Sequence, residues 1–237
     1  MIFNRDQLSR VVCNIRTPIA TENRLNEKVG TGIFISKGNE AWILTAAHVA
    51  KETNDSSYII FCNGNIPVKR EIKEFLANSQ CWEYHPIADM AILKINVSKN
   101  IDILQNRCLP FENLALSKDQ IPTRDVELTT IGFPRGLGAE GRFSPFTFRS
   151  YATSNLITLP RADIGTLCDF FCLENPSVGG YSGGPVFDLG IMIVGCMTST
   201  KENTLLHGII SGTIYDDTGG KIATVTPLFY LSDLINF

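Results

Sequence analysis

The sequence predicts an all-β fold in two halves. Short runs rich in Val, Ile, Phe and Thr recur between Gly, Asn, Asp and Pro punctuation along most of the 237 residues. Apolar spacing of helical period is scarce. A strand-poor stretch, 100–123, holds Pro110 and Pro122 and separates two strand-rich parts. A chain of this length is close to the limit for a single core, so one all-β domain and two small packed barrels both fit.

In chain order, the first half opens with Val11–Ile19, led by two valines, and Gly32–Ser36, an Ile-Phe-Ile run behind a glycine. Trp42–Ala46, Tyr58–Cys62 and Met90–Asn96 are apolar runs of strand length, and Val68–Phe75 reads as a more polar strand. In the second half the predicted strands are Val126–Gly132, Phe146–Leu156, Leu167–Leu173 and Pro185–Phe187, then Met192–Thr198, Thr204–Gly212 and Ala223–Thr226. Phe143, Phe146 and Phe148 alternate with small or polar residues, as strand core residues do. Two helical segments are predicted: one turn at His48–Thr53, and a short C-terminal helix over Pro227–Asn236 that starts at its proline. The expected division is 1–105, a connection at 106–122, and 123–237.

Composition narrows the function. Charged residues make up 19% and the net charge is −3, with no basic stripe, so neither nucleic acid nor a membrane surface is an expected partner. No run reaches the ~18 consecutive apolar residues of a transmembrane helix. The start, Met1 to Asp6, lacks the apolar region of a signal peptide. Seven cysteines, Cys13, Cys62, Cys81, Cys108, Cys168, Cys172 and Cys196, are an odd count with irregular spacing, a poor disulfide or zinc framework. Reduced thiols in a cytoplasmic protein, without metal or cofactor, are the expectation.

Three segments carry chemistry. Thr45-Ala46-Ala47-His48 ends an apolar strand in a histidine; Asp89-Met90-Ala91-Ile92-Leu93 leads from an aspartate into a strand; Gly180-Tyr181-Ser182-Gly183-Gly184-Pro185 sets a serine in a Gly-rich turn. A serine hydroxyl is a poor nucleophile near neutral pH and needs a base, for which histidine titrates in the useful range. The histidine needs a buried acceptor to fix its tautomer. An oxyanion needs backbone N–H donors, assigned here to Gly180 and Ser182. Each segment alone has a bland reading as a helix start, a turn residue or a Gly-rich loop. It is the three in this order that point to hydrolysis.

These motifs resemble those of the chymotrypsin-like (trypsin-like) serine proteases. Gly30-Thr31-Gly32-Ile33-Phe34-Ile35-Ser36 resembles the strand before the histidine. Thr130-Ile131-Gly132-Phe133-Pro134-Arg135-Gly136-Leu137 is similar to a segment of bacterial members such as the periplasmic heat-shock proteases. Thr224-Val225-Thr226-Pro227-Leu228 resembles the run into the terminal helix. The resemblance implies two antiparallel six-stranded β-barrels with the cleft between them. It implies a serine endopeptidase in which His48, Asp89 and Ser182 are catalytic, and a protein or peptide substrate.

Where animal digestive members carry an aspartate before the nucleophile, this chain has Tyr181, so activation by N-terminal cleavage is not expected. The family's usual disulfides are missing. The base of the specificity pocket falls near Pro176, and Ser177, Val178, Met197, Thr198 and Ser199 are expected to line a neutral subsite. His85 reads as a surface loop residue before Pro86, and His207 as structural. Two other functions compete. One is a partner-gated or silent module of the same fold, awaiting a protein activator. The other is an α/β-hydrolase-type esterase, since Gly180-Tyr181-Ser182-Gly183-Gly184 also satisfies its G-x-S-x-G elbow.

Overall fold

Two antiparallel sheets, one from each half of the chain, bring the three motifs to one cleft. The computed structural model describes residues 1–21, 24–76, 81–175, 177–194, 197–200 and 203–235, without the side chains of 20–25 and 192–200. A short helix, α1 (Arg5–Leu8), starts at a capping box between Asn4 and Gln7. The first sheet then holds β1 (Val12–Thr21), β2 (Arg24–Lys37), β3 (Glu40–Thr45), β4 (Tyr58–Asn63), β5 (Ile66–Glu71), β6 (Glu83–Tyr84), β7 (Ala91–Lys94) and β8 (Leu109–Pro110), with α2 (Ala47–Lys51) after β3. Its spatial order is β5-β4-β1-β2-β3-β7-β6, with β8 parallel to β2. Two of its eight strands, β6 and β8, are only two residues long.

The second sheet follows with β9 (Leu128–Gly132), β10 (Phe146–Ser150), β11 (Ile157–Pro160), β12 (Leu167–Leu173) and β13 (Pro185–Asp188). A separate ribbon, β14 (Ile191–Val194) with β15 (Met197–Thr200), precedes the last two strands, β16 (Leu205–Tyr215) and β17 (Lys221–Pro227). The order is β10-β9-β13-β16-β17-β12-β11. This is the all-β class that the sequence predicts, in sheets of eight and seven strands among the described residues where the resemblance implies two six-stranded barrels. Sheets so joined by hairpins and loops lack the βα alternation of an α/β-hydrolase, and that reading falls.

The predicted strands differ from the observed ones in instructive places. β2 runs back to Arg24, through polar residues, because the long ladder with β1 supplies its pairing where a buried face does not. Val68–Phe75 is a strand only to Glu71; Ile72–Phe75 forms a helical turn that buries Ile72 and Phe75. Phe146–Leu156 breaks after Ser150, and β11 is a strand the sequence reading missed. The C-terminal helix is a 3-10 helix, Leu228–Asp233, capped by Pro227 rather than starting on it.

Apolar burial explains the packing. Phe34, Phe61 and Phe75 stack at centroid distances of 6.2–6.3 Å inside the first sheet, with Ile43, Ile59 and Leu93. A second cluster bridges the two sheets, joining Ile33 and Leu44 to Ile131, Phe133, Phe187 and Leu228. That shared core fixes how the halves meet. No helix of the described residues is long and apolar enough to cross a membrane.

Candidate active site

His48 enters the site at the junction of β3 and α2. The Thr45 hydroxyl donates to the Thr31 carbonyl at 2.6 Å, and buried Ala46 and Ala47 turn the chain with small side chains. α2 has no side-chain cap of its own, since its N-cap is Ala46. Its second N–H, that of His48, donates instead to Asp89 Oδ1 at 3.0 Å. The same carboxylate takes His48 Nδ1 on Oδ2 at 2.8 Å. Asp89 thus caps the helix and orients the ring that the helix carries.

Asp89 stands on a short turn before β7. The His85 ring holds that turn from inside. Its Nδ1 accepts the N–H groups of Ala88 at 2.8 Å and Ile87 at 3.2 Å, so its proton sits on Nε2, which faces Asp233 at 3.0 Å. His85 is buried. This corrects the expectation of a surface residue: the turn at Pro86 leaves two N–H groups unpaired inside, and the imidazole accepts them. His207, expected to be structural, is buried, and its Nδ1 meets the Gln120 carbonyl at 2.7 Å.

Ser182 lies in the turn before β13, pinned from both halves. Thr31 N–H donates to the Ser182 carbonyl at 2.8 Å, and Gly183 N–H to the Ile210 carbonyl at 2.7 Å. Gly183 has φ +81°, and a Cβ there would stand 2.1 Å from the Thr31 carbonyl oxygen, so only glycine fits. The Ser182 hydroxyl donates to the Ser211 carbonyl at 3.3 Å.

The backbone around Gly180 is preset. The Gly179 carbonyl accepts Arg135 N–H at 2.7 Å. In a trans peptide the carbonyl and the following N–H point opposite ways, so the Gly180 N–H faces away from Arg135. Neither it nor the Ser182 N–H has an acceptor among the described residues. Arg135 holds this turn with φ +53°. Thr31 braces it again: its hydroxyl donates to the Gly180 carbonyl at 2.9 Å and accepts Phe133 N–H at 3.2 Å. Tyr181, just before Ser182, is buried, and its hydroxyl meets the Thr130 and Phe146 carbonyls at 3.0 and 2.9 Å.

The electrostatics follow from the contacts. Burial pulls the His48 imidazole down, but the Asp89 carboxylate outweighs it, with Asp163 and Glu52 adding, and the net shift is upward. Burial pushes the Asp89 carboxyl up; the His48 ring, the Ser211 hydroxyl at 2.6 Å and His48 N–H outweigh that, and the net shift is downward. The pair is arranged to keep Asp89 ionised beside a ring that is easily protonated.

A match to the trypsin-like peptidase domain family spans residues 30–196. The chain belongs to that family. No match was found among curated proteins. Among solved structures, this trypsin-like peptidase is similar to Rv3671c from M. tuberculosis H37Rv. The inactive form, a serine-to-alanine mutant, has TM-score 0.60 at 17% identity, covering 96% of this chain and 86% of that one. The active form of the Rv3671c protease gives 0.57 at 18%, covering 96% and 80%. The HtrA-type protease AlgW, solved with a decapeptide, gives 0.59 at 18%, covering 97% of this chain and 64% of that one. At these identities the likeness is one of fold.

In this peptidase His48, Asp89 and Ser182 line one cleft of about 410 Å³. Its walls are the Leu159–Asp163 segment, Phe170, and Ser211–Ile214 of β16. The expected pocket residues fare differently. Ser177 and Val178 border a smaller cavity of about 20 Å³ with Tyr181, and the Thr213 hydroxyl donates to the Ser177 carbonyl at 3.1 Å. Pro176 lies outside the described residues. Met197, Thr198 and Ser199 stand in β15, which pairs with β14, and their side chains are likewise outside the description.

Sequence reasoning missed four residues at the site. Ser211 was readable only as a polar residue in an apolar strand. Thr31 is part of the Gly30–Ser36 segment that carries the resemblance, but nothing there marks it as a brace of the Ser182 turn. Arg161 and Asp163 come from a loop with no motif, and nothing local marks them.

Proposed function

We propose that this trypsin-like peptidase is a serine endopeptidase that works through an acyl-enzyme intermediate. Ser182 is the nucleophile, His48 the general base and then acid, and Asp89 the acceptor that orients His48. The N–H groups of Gly180 and Ser182 stabilise the oxyanion. The observation that carries this reading is the 2.8 Å His48–Asp89 contact in the cleft that Ser182 lines, beside two N–H groups without an acceptor among the described residues. In the reaction, His48 Nε2 takes the Ser182 proton as Oγ attacks the scissile carbonyl. The imidazolium returns it to the leaving amine, and water then repeats the sequence on the ester. No cofactor is required.

The substrate is a protein or peptide with neutral side chains near the scissile bond. Leu159, Phe170 and Ile214 supply the apolar walls of the cleft, while Asp163 is paired with Arg161 and Lys51. A reducing, cytoplasmic setting suits the cysteines: Cys13, Cys62, Cys168 and Cys172 are free and buried.

One observation favours the gated alternative: the Ser182 hydroxyl faces the Ser211 carbonyl and not His48. At 3.3 Å that bond is weak, worth about 1 kcal/mol at most, so turning the hydroxyl to His48 costs under about tenfold in rate. That is too little to silence an enzyme, and the active reading is preferred over one that awaits a protein activator.

The test is a fluorophosphonate probe on the purified chain beside Ser182→Ala and His48→Ala, with the adduct located by mass spectrometry. Labelling of Ser182 that depends on His48 is the expected result. Ser182→Ala should lose on the order of 10⁴–10⁶ in kcat on a peptide substrate. Peptide cleavage that survives Ser182→Ala would refute the reading. A folded but unlabelled wild type would favour the gated module.

A further inference from the structure

Arg161 is buried as few arginines are: its side chain is 2% exposed, and it faces an Asp89 side chain that is 4% exposed. It comes from the β11–β12 hairpin of the second sheet. That hairpin tip is a tight loop of its own, with Arg161 N–H donating to the Thr166 carbonyl and Gly165 N–H to the Arg161 carbonyl. The guanidinium crosses to the first sheet, under the turn that carries Asp89.

All five of its N–H groups are accounted for. Nε donates to Asp163 Oδ1 at 2.9 Å. NH1 donates to the Ala88 carbonyl at 2.7 Å and the Ile87 carbonyl at 3.2 Å. NH2 donates to Asp163 Oδ2 at 2.7 Å and reaches Asp89 Oδ1 at 3.5 Å. Asp163 Oδ2 also takes Lys51 of α2, three residues beyond His48, at 3.1 Å. One hairpin tip therefore grips both first-sheet elements of the site: the Asp89 turn through Arg161, and the His48 helix through Asp163.

The two carbonyls that Arg161 holds immediately precede Asp89, and His85 holds the N–H groups of the same turn from its other side. The planar fork can clasp two carbonyls and a carboxylate at once; a lysine ammonium, a single point on a flexible stem, cannot reproduce that geometry.

We propose that Arg161 is a positioning residue for the His48–Asp89 pair: it fixes the Asp89 turn across the inter-sheet cleft and tempers the negative charge that His48 feels. This rests on the serine endopeptidase reading. Other charged or titratable groups face the pair: Asp163 of the same hairpin, Lys51 at the end of α2 and Glu52 just after it, and Cys168 of β12 near Asp89. The Ser211 hydroxyl adds a neutral donor from β16. Of these, Arg161 is the cation in direct contact with Asp89. Its removal leaves Asp89, Asp163 and Glu52 acting on His48 with less opposition, so the imidazolium gains.

The test uses Arg161→Gln and Arg161→Lys, read in two ways. The His48 ring is titrated by ¹H–¹⁵N NMR in a Ser182→Ala background, which needs no turnover. Separately, kcat and KM are measured against pH in otherwise wild-type chains. For Arg161→Gln the His48 midpoint and the acid limb of kcat/KM should both rise by about half to one pH unit. kcat should fall about ten- to a hundredfold through the loosened turn, with KM changed far less. Arg161→Lys retains the charge and, should the glutamine variant not fold, carries the test alone. Its His48 midpoint should stay near wild type while kcat falls as in Arg161→Gln. A folded Arg161→Gln with a lower Tm but an unmoved His48 titration, or, should it not fold, an Arg161→Lys with unmoved kcat, would assign Arg161 to stability alone and overturn the proposal. Because the Arg161→Gln titration needs no catalysis, its outcome is distinct from the failure of Ser182 to react with fluorophosphonate.

Discussion

Replacing Thr31 by valine tests how the turn around Ser182 is held. Thr31 is fully buried, and valine matches its shape, so no cavity opens. Its backbone bonds to Ser182 and Thr45 survive. The hydroxyl alone goes, and with it the donor to the Gly180 carbonyl and the acceptor for buried Phe133 N–H. Two net hydrogen bonds at about 1 kcal/mol each, plus about 1–3 kcal/mol for an unpaired buried N–H, come to roughly 3–5 kcal/mol. For a chain of this size that is a fall in Tm of roughly 6–20 °C. The effect on activity is separate. The Gly180 N–H keeps its place but its peptide loses a brace, so kcat should drop about ten- to a hundredfold, less than the 10²–10³ of losing an oxyanion donor outright. Urea unfolding and steady-state cleavage of a fluorogenic peptide read the two effects, and Thr31→Ser, which keeps the hydroxyl, should stay close to wild type in kcat. An unchanged unfolding midpoint together with unchanged kcat in Thr31→Val would refute the bracing role.

Four further outcomes are expected. Gly183→Ala adds a Cβ 2.1 Å from the Thr31 carbonyl at φ +81°, so it should cost about 3 kcal/mol or more in chemical denaturation, or prevent folding. Because His48 sits above its ordinary 6.5, kcat/KM should rise with pH along an acid limb centred above that value, and Asp89→Asn should move the limb down while cutting kcat on the order of 10⁴-fold. The depressed Asp89 carboxyl contributes stability that is present above its unfolded value of 3.8 and is lost as pH falls through its lower folded value, so Asp89→Asn should show a shallower acid-unfolding profile. Phe34→Ala, at the centre of the Phe34–Phe61–Phe75 stack, should destabilise by about 3–5 kcal/mol in the same urea assay.

Some of this protein is written in short stretches of its sequence. The all-β class follows from runs of β-branched residues between turn formers, because strand propensity and turn chemistry act over a few neighbours. The His48 and Ser182 segments are legible for a related reason: buried Ala46 and Ala47 turn the chain into His48, only glycine fits at 183 beside Ser182, and such residues leave a local mark; Asp89 is marked by the apolar run that follows it. Tertiary structure decided what distant residues do to one another. The Asp89 carboxylate receives Ser211 from β16 and Arg161 from a loop without a motif, both more than seventy positions along the chain. The polar start of β2 is a strand only because β1 lies beside it. His85, exposed to the eye before Pro86, is buried by Asp233 and Tyr230 near the chain's far end. A buried hydrogen bond or ion pair depends on the position of its partner in space, and sequence separation carries no record of that position until the two sheets have packed.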